Sequence, residues 1–579
     1  MQPQTDYIAD EDLMKIDADK KSALQFRERK HDDWTDNYTL QRDKVIVNRL
    51  TQRQTINIPL MRYGLATIMK DIDEFPQLYF RNLDNDQQKE IYYNENWNNV
   101  VIENKLVIKD RIDKKQACIF GRSFKKLNIV DGAFKPEIVD PQDMLVERHV
   151  DPSTLDSARC VIQTGIYRTL SAIENNKDYN EKVIADLKGY YSKDSTTEEA
   201  EHNFSSFTDK AKRMSDMGLP DAYNPLVGET YVELNEVYRK EYNEKLDTDE
   251  IIMYIVASTD GGMFKLFKKP LHEIIGGTIE DFWYDHFPYT SWGPDIEGTD
   301  FWSDGPADTL RQPNKVLNSW ISQLVENRTL KNLNMHYYDS SNAQFVPQTF
   351  NPVNWGWYPV PGKPQDIIQD VKVGDLSESL AEIQFVIGIA EKSVAATSVQ
   401  TGQVEPRQIT LGEVQLAVSN AQERVKSMAT YYVEDWKEFG LKFIKMLEAA
   451  SDRLDEVTLH KKGRQTSKVY TKTISPKDWT SRSGYRVEVK LKEDVDAEST
   501  DQLQKLNAAK TIMPNNVPLN DIYKKKLLDF SGLTTDEQKE VMDFEKQNEI
   551  NPVVPIGGEV TTPAVTPQVP SMPVANAQI

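Results

Sequence analysis

Residues 375–450 have the sequence DLSESLAEIQFVIGIAEKSVAATSVQTGQVEPRQITLGEVQLAVSNAQERVKSMATYYVEDWKEFGLKFIKMLEAA. Two capping boxes, DLSE at 375–378 and TLGE at 410–413, mark helix starts, because a side-chain oxygen and a glutamate satisfy free amide groups there. We therefore predict helices over 375–396 and 410–450, joined by a polar loop at 397–409. The first helix is apolar through its middle, so we expect it to be buried on most sides.

The second helix carries apolar residues at spacings that alternate between three and four, which is the pattern of a long amphipathic helix. At about 1.5 Å per residue it would extend roughly 60 Å. Periodicity alone would also allow a coiled coil or a bundle. The apolar positions are Val414, Val418, Ala421, Val425, Met428, Tyr432, Trp436, Phe439, Phe443 and Met446.

The residues just before this stretch predict a helix followed by a compact module. A helix is expected over 306–334, with Pro306 in its first turn and Leu310 and Leu317 on one face. Pro313 should kink or restart that helix. Residues 335–374 mix prolines and glycines with aromatic residues, which favours a small non-helical module.

The N-terminal half combines helical and strand patterns. Residues 1–25 are polar and expected to be disordered, and residues 190–222 are expected to form a polar insertion. One helix is predicted near Trp34 and another over 86–118. The latter has apolar positions at Ile91, Trp97, Val101, Leu106, Ile108 and Ile112.

Strand patterns follow in the same half. The Asp131-Gly132 turn predicts a hairpin, since Asp-Gly accepts the positive φ angles of a tight turn. Further strands are expected at 230–238 and 250–258, and the aromatic stretch 282–302 should form an ordered loop without a long helix or central strand.

The C-terminal part predicts a hairpin and a strand over 451–498, then three short helices over 499–549. Residues 550–579 contain six prolines and one charged side chain, which is typical of a disordered tail. The fold class is therefore α+β, with several packed regions.

Composition limits the function. The chain has 579 residues, a formal charge of -21 and two cysteines. Acidity opposes adhesive binding to nucleic acid, which needs clustered Lys and Arg. Cys118 and Cys160 lie in apolar contexts typical of buried thiols. The acidic start lacks a signal-peptide pattern and no stretch is long and apolar enough to span a membrane, so we expect cytoplasmic synthesis and no membrane partner.

Motifs for catalysis and cofactors are missing from the sequence. It contains no phosphate loop, no dinucleotide fingerprint and no HExxH, and its seven histidines are scattered. Asp140, Asp143, Asp151 and Asp156 could hold a divalent cation, but Asp-Pro and Asp-x-x-Asp also make ordinary turns and caps, which we favour. Asp285-His286 could suggest acid–base work, but a hydrogen-bonded packed pair is favoured. We expect no enzyme, metal or cofactor.

Two segments could contact DNA or a partner. Lys461, Lys462 and Arg464 make a basic hairpin turn, for which a solvated surface is the simpler interpretation. Gln400, Gln403 and Arg407 lie in the 397–409 loop, which residue pattern alone predicts to be a surface connector.

The order of these parts resembles that of tailed-bacteriophage portal proteins. The segment VDPQDMLVERHVDPSTLDSARCVI (139–162) is also similar to wing strands of podovirus-type portals. The resemblance implies an α+β portal fold with a mixed wing at 26–305, stem helices at 306–334 and 375–396, a small β-containing clip at 335–374, a tunnel loop at 397–409, a long wing-spanning helix at 410–450, strands returning to the wing at 451–498 and a helical crown at 499–549.

The same resemblance implies a structural role in the virion. About twelve copies would form a ring at one capsid vertex, assembled in the host cytoplasm, through which double-stranded DNA is packaged and ejected. The major capsid protein, scaffolding protein, terminase and head–tail adaptors would be its partners. Gln400, Gln403 and Arg407 would then face the channel, and Trp355, Trp357 and Tyr358 would lie on the clip. The alternatives are another tail or baseplate component and, less favoured, an enzyme of unfamiliar fold.

Overall fold

The computed structural model describes residues 10–42, 46–47, 54–84, 87–130, 132–193, 231–244, 247–259, 262–276, 282–298, 300–332, 336–338, 368–370, 379–393, 411–451, 457–462, 469–475, 484–490 and 504–508, and seven isolated positions. The chain divides into a unit of Met1–Leu459 with Thr473–Asp496 and a unit of His460–Lys472 with Ala497–Ile579. The first unit mixes helices and strands, as expected for an α+β fold.

The N-terminal segment is ordered from residue 10, so the prediction of disorder over 1–25 is wrong for its described part. Helix α1 is Glu11–Glu28, and the Asp10 side chain caps it by accepting a hydrogen bond from the amide of Asp12 at 3.1 Å. Ile16 is 1% exposed and packs with Leu145, Val237 and Tyr254. A few buried residues pack this helix against the fold. The many charged residues around them made the segment look disordered in sequence. The next elements are α2 (His31–Gln41), β1 (Ile46–Val47), β2 (Gln54–Thr55) and α3 (Leu60–Asp71).

The helix predicted over 86–118 is two helices. They are α4 (Gln87–Glu103) and α5 (Leu106–Phe120), and between them Lys105 adopts a left-handed conformation with φ 51°. The break changes which face is buried. Trp97 and Leu106 lie in the core as expected, whereas Ile108 and Ile112 are 59% and 48% exposed.

The Asp-Gly hairpin is confirmed. Ile129 pairs with Phe134 and Val130 with Ala133 across the turn, and Gly132 has φ 72°. The flanking strands continue the pairing, and the aromatic stretch adds an edge strand, so that a three-stranded sheet results. Its order is β13 (Tyr289–Trp292), β4 (Ser123–Lys126) and β7 (Glu137–Val139), while β5 (Ile129–Val130) and β6 (Ala133–Phe134) form the hairpin.

A five-stranded antiparallel sheet includes the strands predicted at 230–238 and 250–258. Its order is β12 (Gly262–Pro270), β11 (Thr248–Thr259), β10 (Tyr231–Asn243), β9 (Cys160–Thr169) and β8 (Met144–Val146). Most of the predicted insertion at 190–222 lies outside the described residues. The helices around this sheet are α6 (Leu170–Glu174), α7 (Glu181–Lys193), α8 (Leu271–Ile275) and α9 (Phe282–Asp285).

The helices that decide the fold are α10 (Pro306–Asn332), α11 (Ser379–Ser393) and α12 (Leu411–Ala449). The helix bounds agree with the predictions for 306–334, 375–396 and 410–450. Helix α10 continues through Pro313, so the helix does not restart there. Strand β14 (His336–Tyr338) follows α10, and β15 (Ile368–Asp370) precedes α11.

The strand predicted within 451–498 is present, and it pairs with a strand of the N-terminal half. Strand β18 (Tyr485–Lys490) pairs antiparallel with β3 (Gln77–Asn82) over six positions. Strands β16 (Val457–Lys462) and β17 (Val469–Ile474) pair with each other. Of the helices predicted over 499–549, a helical run at 504–508 is described, and the tail 550–579 lies outside the described residues.

Candidate functional site: a packed helix pair and the anchored long helix

Helices α10 and α11 pack side by side although the 335–374 module separates them in the chain. Strands β14 and β15 continue this pairing, since His336 lies opposite Asp370 and Tyr338 opposite Ile368. The two ends of the segment 339–367 therefore lie beside each other. The order along the chain is helix, strand, a segment outside the described residues, strand and helix.

Helix α11 is more exposed than its apolar sequence predicts. Ile383 and Ala390 are buried, but Phe385 is 68% and Ile389 46% exposed. The expectation of burial on most sides is thus wrong for the single chain. Phe385 and Ile389 are four residues apart, so they lie on one face of the helix.

The C-terminal half of α12 is anchored by aromatic packing. Tyr432, Trp436, Phe439 and Phe443 are each at most 3% exposed and occupy the inward face that the periodicity predicts. Trp97 on α4 contacts the rings of Trp436, Phe439 and Phe443 at centroid distances of 5.1 to 6.2 Å. A Cβ atom at Gly440 would lie 2.8 Å from Leu78 Cδ2 and Val487 Cγ1, so glycine lets α12 approach the β3–β18 pair.

Buried charges add a second set of contacts between α12 and the earlier part of the chain. Lys125 Nζ lies 2.9 Å from Asp113 Oδ2 and also pairs with Asp435 of α12. Trp292 donates its indole N–H to Asp113 Oδ2 at 2.8 Å. One cation thus serves two carboxylates in a site closed to solvent.

The electrostatics of this triad follow from burial. Burial raises the pKa of Asp435 to about 6, because the opposing effect of Lys125 is smaller and Asp113 adds to the rise. Burial alone would lower the pKa of Lys125, but Asp113 and Asp435 outweigh it and the net shift is upward. Lys125 therefore remains charged, and Asp435 is the group that titrates.

A second buried pair lies one turn along α5. Lys114 Nζ is 2.7 Å from Asp110 Oδ2, with both side chains 1% exposed, and the Tyr432 hydroxyl donates to Asp110. Burial raises the pKa of Asp110 and raises that of Tyr432 well above its ordinary value. Asp110, Asp113 and Lys114 therefore lie on the face of α5 that faces α12.

A third link joins α12 to the three-stranded sheet. Lys442 Nζ lies 2.9 Å from Asp156 Oδ2 and 2.7 Å from Glu438 Oε1, and it donates to the carbonyl of Tyr289 at 2.8 Å. These charges hold a long helix in place.

No family model matches this chain. No curated protein is significantly similar to it in sequence either.

The four candidate aspartates have separate structural roles. Asp140 caps a short helical turn by accepting the amide of Gln142 at 3.0 Å, and Asp151 accepts the amide of Ser153 at 2.9 Å. Asp143 pairs with Arg213 at 3.0 Å. Asp156 accepts the amide of Phe287 at 2.8 Å in addition to its Lys442 contact. Asp140 and Asp151 thus show the turn and cap chemistry that the sequence favours, whereas Asp143 and Asp156 bond to distant parts of the chain.

Asp285 and His286 also have different partners. Asp285 pairs with Lys240, whereas His286 stacks on Phe282 at 3.9 Å and its Nδ1 lies 2.8 Å from the Phe282 carbonyl oxygen. The expected hydrogen bonding and packing are present, but they do not join the two side chains into a pair. Nothing in this arrangement orients a proton transfer between them.

Several predicted site residues cannot be placed. Gln400, Gln403 and Arg407, and Trp355, Trp357 and Tyr358, lie outside the described residues. Lys461 and Lys462 end β16, where the backbone alone is described, and Arg464 falls just beyond it. Their roles stay predictions.

Cys118 and Cys160 are free and buried, as predicted, and burial raises the pKa of the Cys118 thiol to about 12. Within the described helices none has the length and apolarity required to cross a bilayer.

Residue patterns did not predict the buried triad of Lys125, Asp113 and Asp435, nor the neighbouring Asp110–Lys114 pair. Asp110, Asp113 and Lys114 are spaced by three and four on an amphipathic helix, a pattern that places them together on one face. Asp435 precedes Trp436 within the aromatic run. Charged residues within an apolar helical pattern could have indicated buried ion pairs, although they do not reveal which distant residue is the partner.

Proposed function

We propose that this chain is the subunit of a portal-type ring, a non-enzymatic channel component of a tailed-phage capsid. The observation that carries the proposal is the packed α10–α11 pair that ends in the β14–β15 ladder. Two packed helices that flank an inserted segment suit a stem and clip, in which one end of the channel would be presented to docking partners.

The exposed apolar face of α11 supports assembly. Phe385 and Ile389 are exposed on a helix that packs beside α10, and exposed apolar area favours contact with another surface. In a closed ring each stem has neighbouring stems on both sides, and a contact between different surfaces of two copies repeats around the ring.

The anchored α12 supports a channel role for the loop before it. A loop at 397–409 would be held between α11 and a long helix whose far half is fixed by aromatic rings and buried ion pairs. Gln400, Gln403 and Arg407 would then guide DNA loosely. About twelve copies at -21 would give a ring charge of roughly -250, which disfavours binding of DNA phosphates to the channel wall.

Another phage structural protein, such as a tail or baseplate component, is the second candidate. It shares the acidity and the assembly-prone face, but it does not require a projection in which two helices flank an inserted module. An enzyme is less favoured, because Asp140, Asp143, Asp151 and Asp156 act as caps and ion-pair partners.

Native mass spectrometry of the purified full chain tests the proposal. We expect a discrete species whose mass is an integer multiple of the subunit mass, at or near twelve copies. A single subunit at all protein and salt concentrations would contradict it.

A further inference from the structure

Helix α11 carries an exposed stripe of one acidic and two apolar residues. Glu382, Phe385 and Ile389 are spaced by three and four residues, so they lie along one side of the helix. Glu382 is exposed, and Phe385 and Ile389 are the two apolar residues left uncovered on this helix. Within the part of the chain that the structure describes, Glu382 forms no ion pair. The stripe therefore offers a carboxylate followed by two apolar side chains.

Gly388 adjoins this stripe, three residues after Phe385. No atom lies within 4 Å of the position that a Cβ atom on Gly388 would take, so packing within the described chain does not require glycine there. Glycine inside a helix costs about 1 kcal/mol relative to alanine, but it lets another backbone approach closely. A second helix packed on this side of α11 would account for the glycine.

Helix α10 carries a matching stripe near its C-terminal end. Ile321, Val325 and Arg328 are spaced by four and three residues and share one side of the helix. Ile321 is half-buried, Val325 is 44% exposed, and Arg328 is exposed and forms no ion pair with any described residue. Earlier on the same side, Asn318 accepts the amide of Ile58 at 2.8 Å. This side of α10 is thus covered at Asn318 and uncovered from Val325 onwards.

The two helices run in opposite directions. The end of α10 leads into β14, β15 leads into the start of α11, and β14 pairs antiparallel with β15. Arg328 is four residues before the last residue of α10, and Glu382 is three residues after the first residue of α11. The charged ends of both stripes therefore lie towards the β14–β15 ladder, at the same level of the helix pair.

Opposite directions make the two stripes complementary. Along α11 the order is acidic, apolar, apolar at spacings of three and four, and backwards along α10 it is basic, apolar, apolar at the same spacings. A parallel arrangement would instead set both charges against isoleucines. The antiparallel pairs are Glu382 with Arg328, Phe385 with Val325, and Ile389 with Ile321.

We infer that the α11 stripe of one copy packs on the α10 stripe of the next copy, with Glu382 and Arg328 forming an ion pair between the two chains. Within one chain the buried residues of α11, Ile383 and Ala390, lie on another side of the helix, and α11 already packs against its own α10. The exposed stripe is therefore available to a second α10.

The occupant is a second copy because rotation about a ring axis supplies the geometry that the stripes need. It keeps the two stripes at one level and leaves α11 of one copy nearly antiparallel to α10 of its neighbour. The contact joins two different surfaces, so every copy can give one and accept one until the ring closes. The inference rests on the proposed ring and names the surfaces that join its subunits.

Charge reversal in the purified full chain tests the ion pair. Glu382→Arg and Arg328→Glu each bring like charges together at the contact, so we expect mass photometry to show that each variant needs about tenfold more protein to assemble. The matched controls are Glu434→Arg and Lys188→Glu, which reverse charges at side chains 62% and 61% exposed on other helices. Both controls should assemble as wild type does.

Two combinations show whether the pair forms between copies. The double variant Glu382→Arg with Arg328→Glu restores opposite charges whether the pair lies within one chain or between chains. An equimolar mixture of the two single variants restores them only between chains, in rings whose copies alternate. We expect both combinations to assemble at the wild-type concentration, which misfolded variants could not do.

Three outcomes would overturn the inference: assembly of either single variant at the wild-type concentration, recovery by the double variant without recovery by the mixture, or no recovery in either combination. A wild-type chain that stays a single subunit would instead overturn the proposed ring, on which the contact rests.

Discussion

The ammonium group of Lys125 on β4 pairs with the carboxylate of Asp435 on α12, although 310 residues separate them in the chain. The two side chains are 1% and 2% exposed, and Asp113 lies against the same ammonium. A buried pair of this kind adds little net stability compared with an apolar contact, but loss of one partner leaves an uncompensated charge. The Lys125–Asp435 pair therefore fixes the position of α12 relative to β4.

Removal of the shared cation should destabilise the first unit strongly. Lys125→Met leaves Asp113 and Asp435 buried together, and we expect a loss of about 3–5 kcal/mol in the free energy of unfolding. Urea unfolding followed by tryptophan fluorescence measures it. The control is Lys437→Met, which removes an exposed pair and should change stability by about 1 kcal/mol or less. Equal effects of the two substitutions would contradict the role given to Lys125.

Asp435 should make stability depend on pH in the mildly acidic range. Its pKa is raised from 3.8 to about 6 in the fold, so between these values the folded chain retains a proton that the unfolded chain has lost. The contribution of Asp435 to the free energy of unfolding is therefore complete below the pKa of the unfolded chain. It falls as the pH rises towards the pKa of the folded chain.

Asp435→Asn is the variant that isolates this effect, since asparagine does not ionise. We expect the difference in thermal midpoint, variant minus wild type, to grow from pH 4 to pH 6 and to level off above. Exposed Glu434→Gln serves as the control and should show no such trend. A difference that stays flat across the range would show that Asp435 does not titrate in this way.

Assembly should depend on the exposed face of α11. Phe385→Ser with Ile389→Ser removes apolar area that the single chain does not bury, so the thermal midpoint of the monomer should change little. We expect the assembled fraction in sedimentation velocity to fall several-fold. Val107→Ser, at another exposed apolar position, lies outside the α11 face and should have a smaller effect. Unchanged assembly of the α11 variant would remove this face from the account.

The loop before α12 should matter for DNA and not for assembly. Deletion of residues 400–406 shortens the predicted tunnel loop and leaves the described parts of α11 and α12 intact. In a packaging reaction we expect rings to form and DNA retention to drop. Heads filled normally by the deletion variant would reject the channel role of Gln400 and Gln403.

Local sequence signals predicted the helices and turns whose ends are marked by capping or turn residues. The capping boxes and spacing gave α12, and Asp131-Gly132 gave the hairpin, since these signals depend on neighbours in the chain. The N-terminal helix was missed because charged residues outnumber Ile16, Ala23 and Phe26, which bury it. One helix was predicted where α4 and α5 are two, because the apolar pattern does not mark the left-handed break at Lys105.

The candidate site was less predictable than the helices that hold it. Capping by Asp140 and Asp151 follows from their neighbours, so the turn interpretation was within reach. Lys125 pairs with Asp435 only after β4 and α12 have packed, and no local pattern specifies a partner 310 residues away. The exposure of Phe385 could not be predicted either, because an apolar helix sequence does not reveal whether its own chain or another copy covers it.

Negative-stain electron microscopy of the purified full chain tests the central claim most directly. The account predicts closed rings with a central channel when viewed from the end, and a narrower projection on one side when viewed edge-on. Discrete monomers without rings, at every protein and salt concentration tested, would contradict it.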